Sequence, residues 1–160
     1  MSTINLVVQT LHNLTRWGIV ILGLIAIIRA FSGWLGKKEY TPADNRAGIL
    51  YTIAFDIQFL LGIILYFSKG WFGVLTADFN VAISAVQTRF FAIDHLVLML
   101  AALILAHVGR SLARKVSDAA RKHRSIAIWY ALSFTLMLTA VPWPFTATVR
   151  PWLRLFGISF

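Results

Sequence analysis

Four long apolar runs constrain this chain more than any other feature. They cover about residues 4–34, 48–67, 87–112 and 126–145. A helix that crosses a bilayer needs roughly 20 mostly apolar residues, and each run is at least that long. The links between them are polar. "KKEYTPADNR" separates the first two, with Pro42 and Asp44 as turn and cap residues. "ARKVSDAARKHR" separates the last two. The middle link, "SKGWFGVLTADFNVAISAVQTR", is longer and partly apolar, as expected of a lid over one end. The expected fold is therefore all-α. It is an integral membrane up-and-down four-helix bundle, one domain over residues 1–160, whose tail "VRPWLRLFGISF" forms a short C-terminal interfacial helix.

Composition agrees: 59% of residues are hydrophobic and 13% charged, where a soluble domain carries about 25% charged. The net charge of +9 does not point to nucleic acid, because the basic residues flank the apolar runs. Membrane lipids are the partner that pattern implies. Arg29, Lys37, Lys38 and Arg46 mark the first link, and Arg110, Arg114, Lys115, Arg121, Lys122 and Arg124 the third. The middle link holds only Lys69 and Arg89. By the positive-inside rule the two basic links are cytoplasmic and both termini face outward, as in a multi-pass protein of a bacterial inner membrane. Trp71, Trp143 and Trp152 fall at the expected outer interface. The N-terminus lacks the basic region and small-residue site of a cleavable signal peptide. The chain has no cysteine, which excludes thiolate-bound metal and covalent haem attachment.

Ionisable groups within apolar spans face the protein interior and mark function. Counting ~1.5 Å per residue from the outer face puts His12 and His95 both roughly 12 Å deep, on different helices. Two imidazoles at one level suit the axial positions of one b-type haem, leaving no open site on the iron. The plain alternative is an interhelical hydrogen bond. Gly62, roughly 10 Å deep, would let a porphyrin approach the backbone of the second helix. Arg16 and Asp56 both fall at roughly 18–20 Å, which suggests a buried ion pair. Otherwise Arg16 would meet a haem propionate or a quinone oxygen. Arg89 and Lys69, at the outer edge, are candidates for propionates or for snorkelling. Asp94 could cap the third helix, pair with Arg89 or orient a neighbour.

His107 lies about 18 Å beyond His95 and about 120° around the helix. That spacing does not stack two haem ligands on one face, and no intramembrane histidine matches His107 in depth. One haem is expected, not two. His107 is instead a candidate for quinone contact or proton relay, with Tyr51 at similar depth, or for an interhelical bond. Met99, one turn below His95, is a possible ligand by chemistry and a packing residue by habit. No H-E-x-x-H, Walker, G-x-S-x-G or dinucleotide motif occurs, so hydrolase and kinase chemistry is not indicated.

At "LHNLTRW" and "RFFAIDHLVLMLAALILAHVGR" the chain resembles small bacterial four-helix b-type cytochromes. More loosely it resembles the cytochrome b561-like and hydrogenase-type cytochrome b membrane subunits. The resemblance implies haem b on His12 and His95. It also implies electron transfer within a larger respiratory or photosynthetic redox complex, with quinone or a partner subunit as the other party. An electron-transfer component is expected rather than a stand-alone enzyme. The di-haem members carry two paired histidine sets, and this chain departs from them. The competing readings are a cofactor-free anchor or assembly subunit, a small transporter lined by Arg16, Asp56 and His107, and a (bacterio)chlorophyll-binding protein.

Overall fold

The computed structural model describes residues 3–160. Its first helix, α1 (Thr3–Leu35), is followed by α2 (Pro42–Ser68), by the short helices α3 (Trp71–Ala77), α4 (Phe79–Ser84) and α5 (Val86–Arg89), and by the long helices α6 (His95–Arg114) and α7 (Ala119–Ala140). The chain stays helical between α5 and α6 through a five-residue π-helical turn, Phe90–Asp94. Thr3–Leu35, Pro42–Ser68 and Val86–Arg114 are each long and apolar enough to cross a membrane. Helix α1 packs on α2 and α7, and α6 packs on α7 and α2.

Local chemistry explains where the helices start and stop. Helix α2 begins at Pro42, ahead of the expected apolar start, because Thr41 and Asp44 build a capping box. Asp44 Oδ2 accepts from the Thr41 backbone N–H at 2.8 Å, and Oδ1 also pairs with Arg29 at 2.9 Å. Helix α7 begins at Ala119, where Asp118 accepts from the Arg121 N–H at 2.7 Å. It stops at Ala140, short of the expected residue 145. Val141 precedes Pro142, and that proline disfavours helical backbone before it. From Ile126 to Ala140 the apolar part of α7 is only about 22 Å long, shorter than the three candidate spans.

The expected C-terminal interfacial helix does not form. The tail folds as a hairpin of β1 (Arg154–Leu155) and β2 (Ile158–Ser159). Phe156 and Gly157 make the two-residue turn, with φ of 48° and 91°. Positive φ at both positions is what a type I′ hairpin requires, and Gly157 supplies one of them without strain. The Phe156 N–H donates to Thr10 Oγ1 at 2.9 Å, which ties the hairpin to α1.

The interior is built from small and aromatic side chains. Ala26, Ala30, Ala102, Ala106, Ala127 and Ala140 are buried, and Tyr51, Phe55 and Tyr130 fill the space between them. The buried hydroxyls are satisfied. Ser133 donates to the Ala102 carbonyl at 2.7 Å and so accepts from Tyr51 at 2.9 Å, while Tyr130 donates to the Gly48 carbonyl at 3.0 Å. At Gly33 an added Cβ would collide with the His123 ring, so glycine lets α1 and α7 touch there. The large aliphatics, among them Ile21, Ile28, Ile53, Leu60, Val97, Ile104 and Leu132, point outward.

Candidate functional site

His12 from α1 and His95 from the start of α6 meet inside the helix cluster. Their ring centres are 6.4 Å apart and their planes 70° apart. The two levels counted from sequence thus coincide in space. The π-helical turn ends directly before His95, so it sets the direction in which that imidazole leaves α6. π-Turns of this kind recur at functional sites. Tyr66 of α2 secures the turn by donating to the Ala92 carbonyl at 2.9 Å.

Partners fix the protonation of the rings. His95 Nδ1 lies 2.7 Å from the Ala140 carbonyl. A carbonyl only accepts, so Nδ1 carries the proton and Nε2 keeps its lone pair. That is the usual state of a metal-binding histidine. His12 Nε2 faces the Gln58 amide nitrogen at 3.3 Å. Gln58 Oε1 accepts from Thr15, so the amide nitrogen is the donor and His12 Nε2 also holds a lone pair. His12 Nδ1 is buried with no partner. Each imidazole therefore keeps a lone pair on Nε2, that of His12 engaged by the Gln58 amide N–H.

The rings open on a cavity of about 190 Å³. Its walls include Phe55, Gln58, Gly62, Trp71, Phe91, Met99 and Met137. Trp71 and Phe91 stack with centres 5.3 Å apart, so the middle link reaches the cavity through Trp71. Gly62 lies against His12: a Cβ there would sit 3.3 Å from His12 Cε1. The glycine thus gives room to the imidazole itself.

The expected Arg16–Asp56 ion pair is not formed. Arg16 is buried, lines the cavity and donates from Nη2 to the Trp152 carbonyl. Trp17 Nε1 donates to the same carbonyl at 3.0 Å. Asp56 instead meets His107, Oδ1 to Nε2 at 2.8 Å, with both side chains nearly half exposed. Arg89 does not line the cavity and pairs with Asp94 at 3.1 Å. The sequence reading missed the contribution of the tail, whose Arg150 and Arg154 line the cavity beside Lys69.

Among the described residues no three His, Cys, Asp or Glu side chains gather as a metal site. Comparisons with family models, with curated proteins and with solved structures find no match for this chain.

Proposed function

We propose that the protein is a membrane-embedded b-type haem protein that passes electrons, with His12 and His95 as the axial ligands of a single haem. The observation that carries this reading is the 6.4 Å between the two ring centres. Two imidazoles trans on one iron place their nitrogens about 4 Å apart, and adding about 1 Å from each nitrogen to its ring centre gives about 6 Å. The matching lone pairs on the two Nε2 atoms support it, and a porphyrin supplies the remaining four ligands itself. A cavity of about 190 Å³ is smaller than the roughly 300–1,000 Å³ of drug-sized pockets, so lining side chains must move aside for a macrocycle. Met99 and Met137 are suited to that by their flexible thioethers. Haem b, when bound, supplies a one-electron iron couple. The protein's own residues hold the ring nitrogens, exclude water and set the local charge.

In this reading α1, α2, α6 and α7 form an up-and-down four-helix bundle in a bacterial inner membrane. Outward aliphatics over a small-residue interior support insertion, since lipid-facing surfaces are apolar and helix interfaces are rich in small residues. The basic links lie on the cytoplasmic side and the cavity opens toward the other. The redox partner is a further subunit or a quinone, and the half-exposed Asp56–His107 pair is a polar feature on the outer face of α2 and α6.

A cofactor-free anchor is the rival. The hydrogen bonds that His12 and His95 already make support it. A reduced-minus-oxidised spectrum of protein made with ample haem separates the two. The cytochrome α-band is expected, His12→Ala and His95→Ala should each abolish it, and His107→Ala should keep it. Absence of the band in the unmodified protein overturns the proposal.

A further inference from the structure

Four cations line the histidine cavity, namely Arg16 of α1, Lys69 at the end of α2, and Arg150 and Arg154 of the tail, and no carboxylate lines it. The ion pairs among the described residues are Arg29–Asp44, Arg89–Asp94 and His107–Asp56, so none of the four cations is neutralised. Their present contacts are weak counterparts to full charges. Lys69 donates to Gln9 Oε1 at 2.9 Å, Arg150 lies over the Phe91 ring at 4.9 Å, and Arg16 donates to a backbone carbonyl. Arg16 is only 8% exposed. Its Nε and that of Arg154 are buried donors with no partner. Orphaned charged donors of this kind are expensive unless something fills them. Burial and mutual repulsion hold Lys69 and Arg150 below their ordinary pKa, which is the signature of charges gathered without a counter-ion.

We propose that these four side chains bind a dianion through two carboxylates, and that the carboxylates are the two propionates of the haem held by His12 and His95. This rests on the haem reading above. It adds an orientation: the propionate edge would face the C-terminal tail, where Arg150 precedes the hairpin and Arg154 begins it. Arginine suits the task because its planar donor fork matches a carboxylate.

The test compares two porphyrins on the unmodified, haem-free protein in detergent. Haem b and its dimethyl ester are titrated and followed by Soret absorbance. The ester keeps the iron and the ring but has no carboxylate. It is expected to bind about tenfold or more weakly, the effect of losing at least one charge-assisted hydrogen bond. In Arg150→Gln/Arg154→Gln the gap between the two should shrink, chiefly through weaker binding of haem b. Equal binding of both porphyrins by the unmodified protein overturns the carboxylate assignment and leaves the haem reading standing. A site made for free phosphate or a lipid headgroup would give that result. Failure of both porphyrins to bind overturns the haem reading, and the propionate site with it.

Discussion

Asp56 of α2 and His107 of α6 meet across the seam between their helices, Oδ1 to Nε2 at 2.8 Å. Their side chains are 44% and 47% exposed, on two long apolar helices. In a bilayer that exposure would face hydrocarbon, where an unpaired carboxylate is costly and a partnered one far less so. His107→Leu is therefore expected to destabilise the protein by about 1–3 kcal/mol, since Asp56 loses its partner. Asp56→Leu/His107→Leu should recover most of that, because both polar groups are gone. Unfolding titrations in lipid–detergent micelles measure the parent, Asp56→Leu, His107→Leu and the double variant. A double variant whose loss equals the sum of the two single losses would show that the two side chains are not coupled.

Gly62 and His12 give a prediction in which stability and cofactor binding move apart. An added methyl would sit 3.3 Å from His12 Cε1, so the ring must yield by a few tenths of an ångström. In a helix, Gly→Ala gains up to about 1 kcal/mol of propensity. Gly62→Ala should thus be as stable as the parent or more so and, if the proposed haem binds, should retain less of it after desalting. Gly62→Val should lose the α-band altogether. The haem-to-protein absorbance ratio and a melting curve on the same samples read both effects.

The parts legible in the sequence were those that depend on distance along one helix. The three long candidate spans and the common level of His12 and His95 follow from apolar length and rise per residue. Angular position does not follow so easily. Depth alone matches Asp56 to Arg16, yet on α2 the residue that faces His12 is Gln58. Two residues are about 200° around a helix, so Asp56 turns away toward α6. The cavity's cations were hidden for another reason. Arg150 and Arg154 reach α1 only because the tail folds back across the whole chain, and its hairpin turn depends on positive φ at Phe156 and Gly157. The glycine was visible, but nothing local said which helix the hairpin would meet.

Lys69 predicts a pH dependence of the haem-free protein. Burial first, then the charges of Arg150 and Arg154, depress its pKa below the ordinary 10.5. Between the folded value and 10.5 the unfolded chain binds more protons than the folded one, so stability rises with pH across that window. Below the window Lys69 is a cation in both states, and its charge penalises the fold. Lys69→Gln should therefore be more stable than the parent at about pH 7 and should gain less between about pH 7 and about pH 10. Chemical unfolding at the two pH values tests the sign. An unchanged slope in Lys69→Gln would assign the dependence to other groups.

Thr10 and Phe156 hold the hairpin over the cavity. Thr10 is buried, donates from Oγ1 to the Leu6 carbonyl at 2.9 Å and accepts there from the Phe156 N–H at 2.9 Å. Valine has nearly the same shape and neither bond. Losing the acceptor should cost about 1 kcal/mol, because the Phe156 N–H is left without its partner. The loss should be local, since α1 keeps its own backbone ladder. Hydrogen exchange in the C-terminal peptide should quicken severalfold in Thr10→Val, while Thr10→Ser, which keeps the oxygen, should match the parent. The same substitution reaches the cavity. Arg154 sits on the first hairpin strand, so a hairpin that opens more often holds that guanidinium in place less often. Haem b should then bind more weakly to Thr10→Val, and its dimethyl ester should be affected less. Slower or unchanged exchange in Thr10→Val would mean that the contacts of Arg16 and Trp17 with the Trp152 carbonyl hold the tail by themselves.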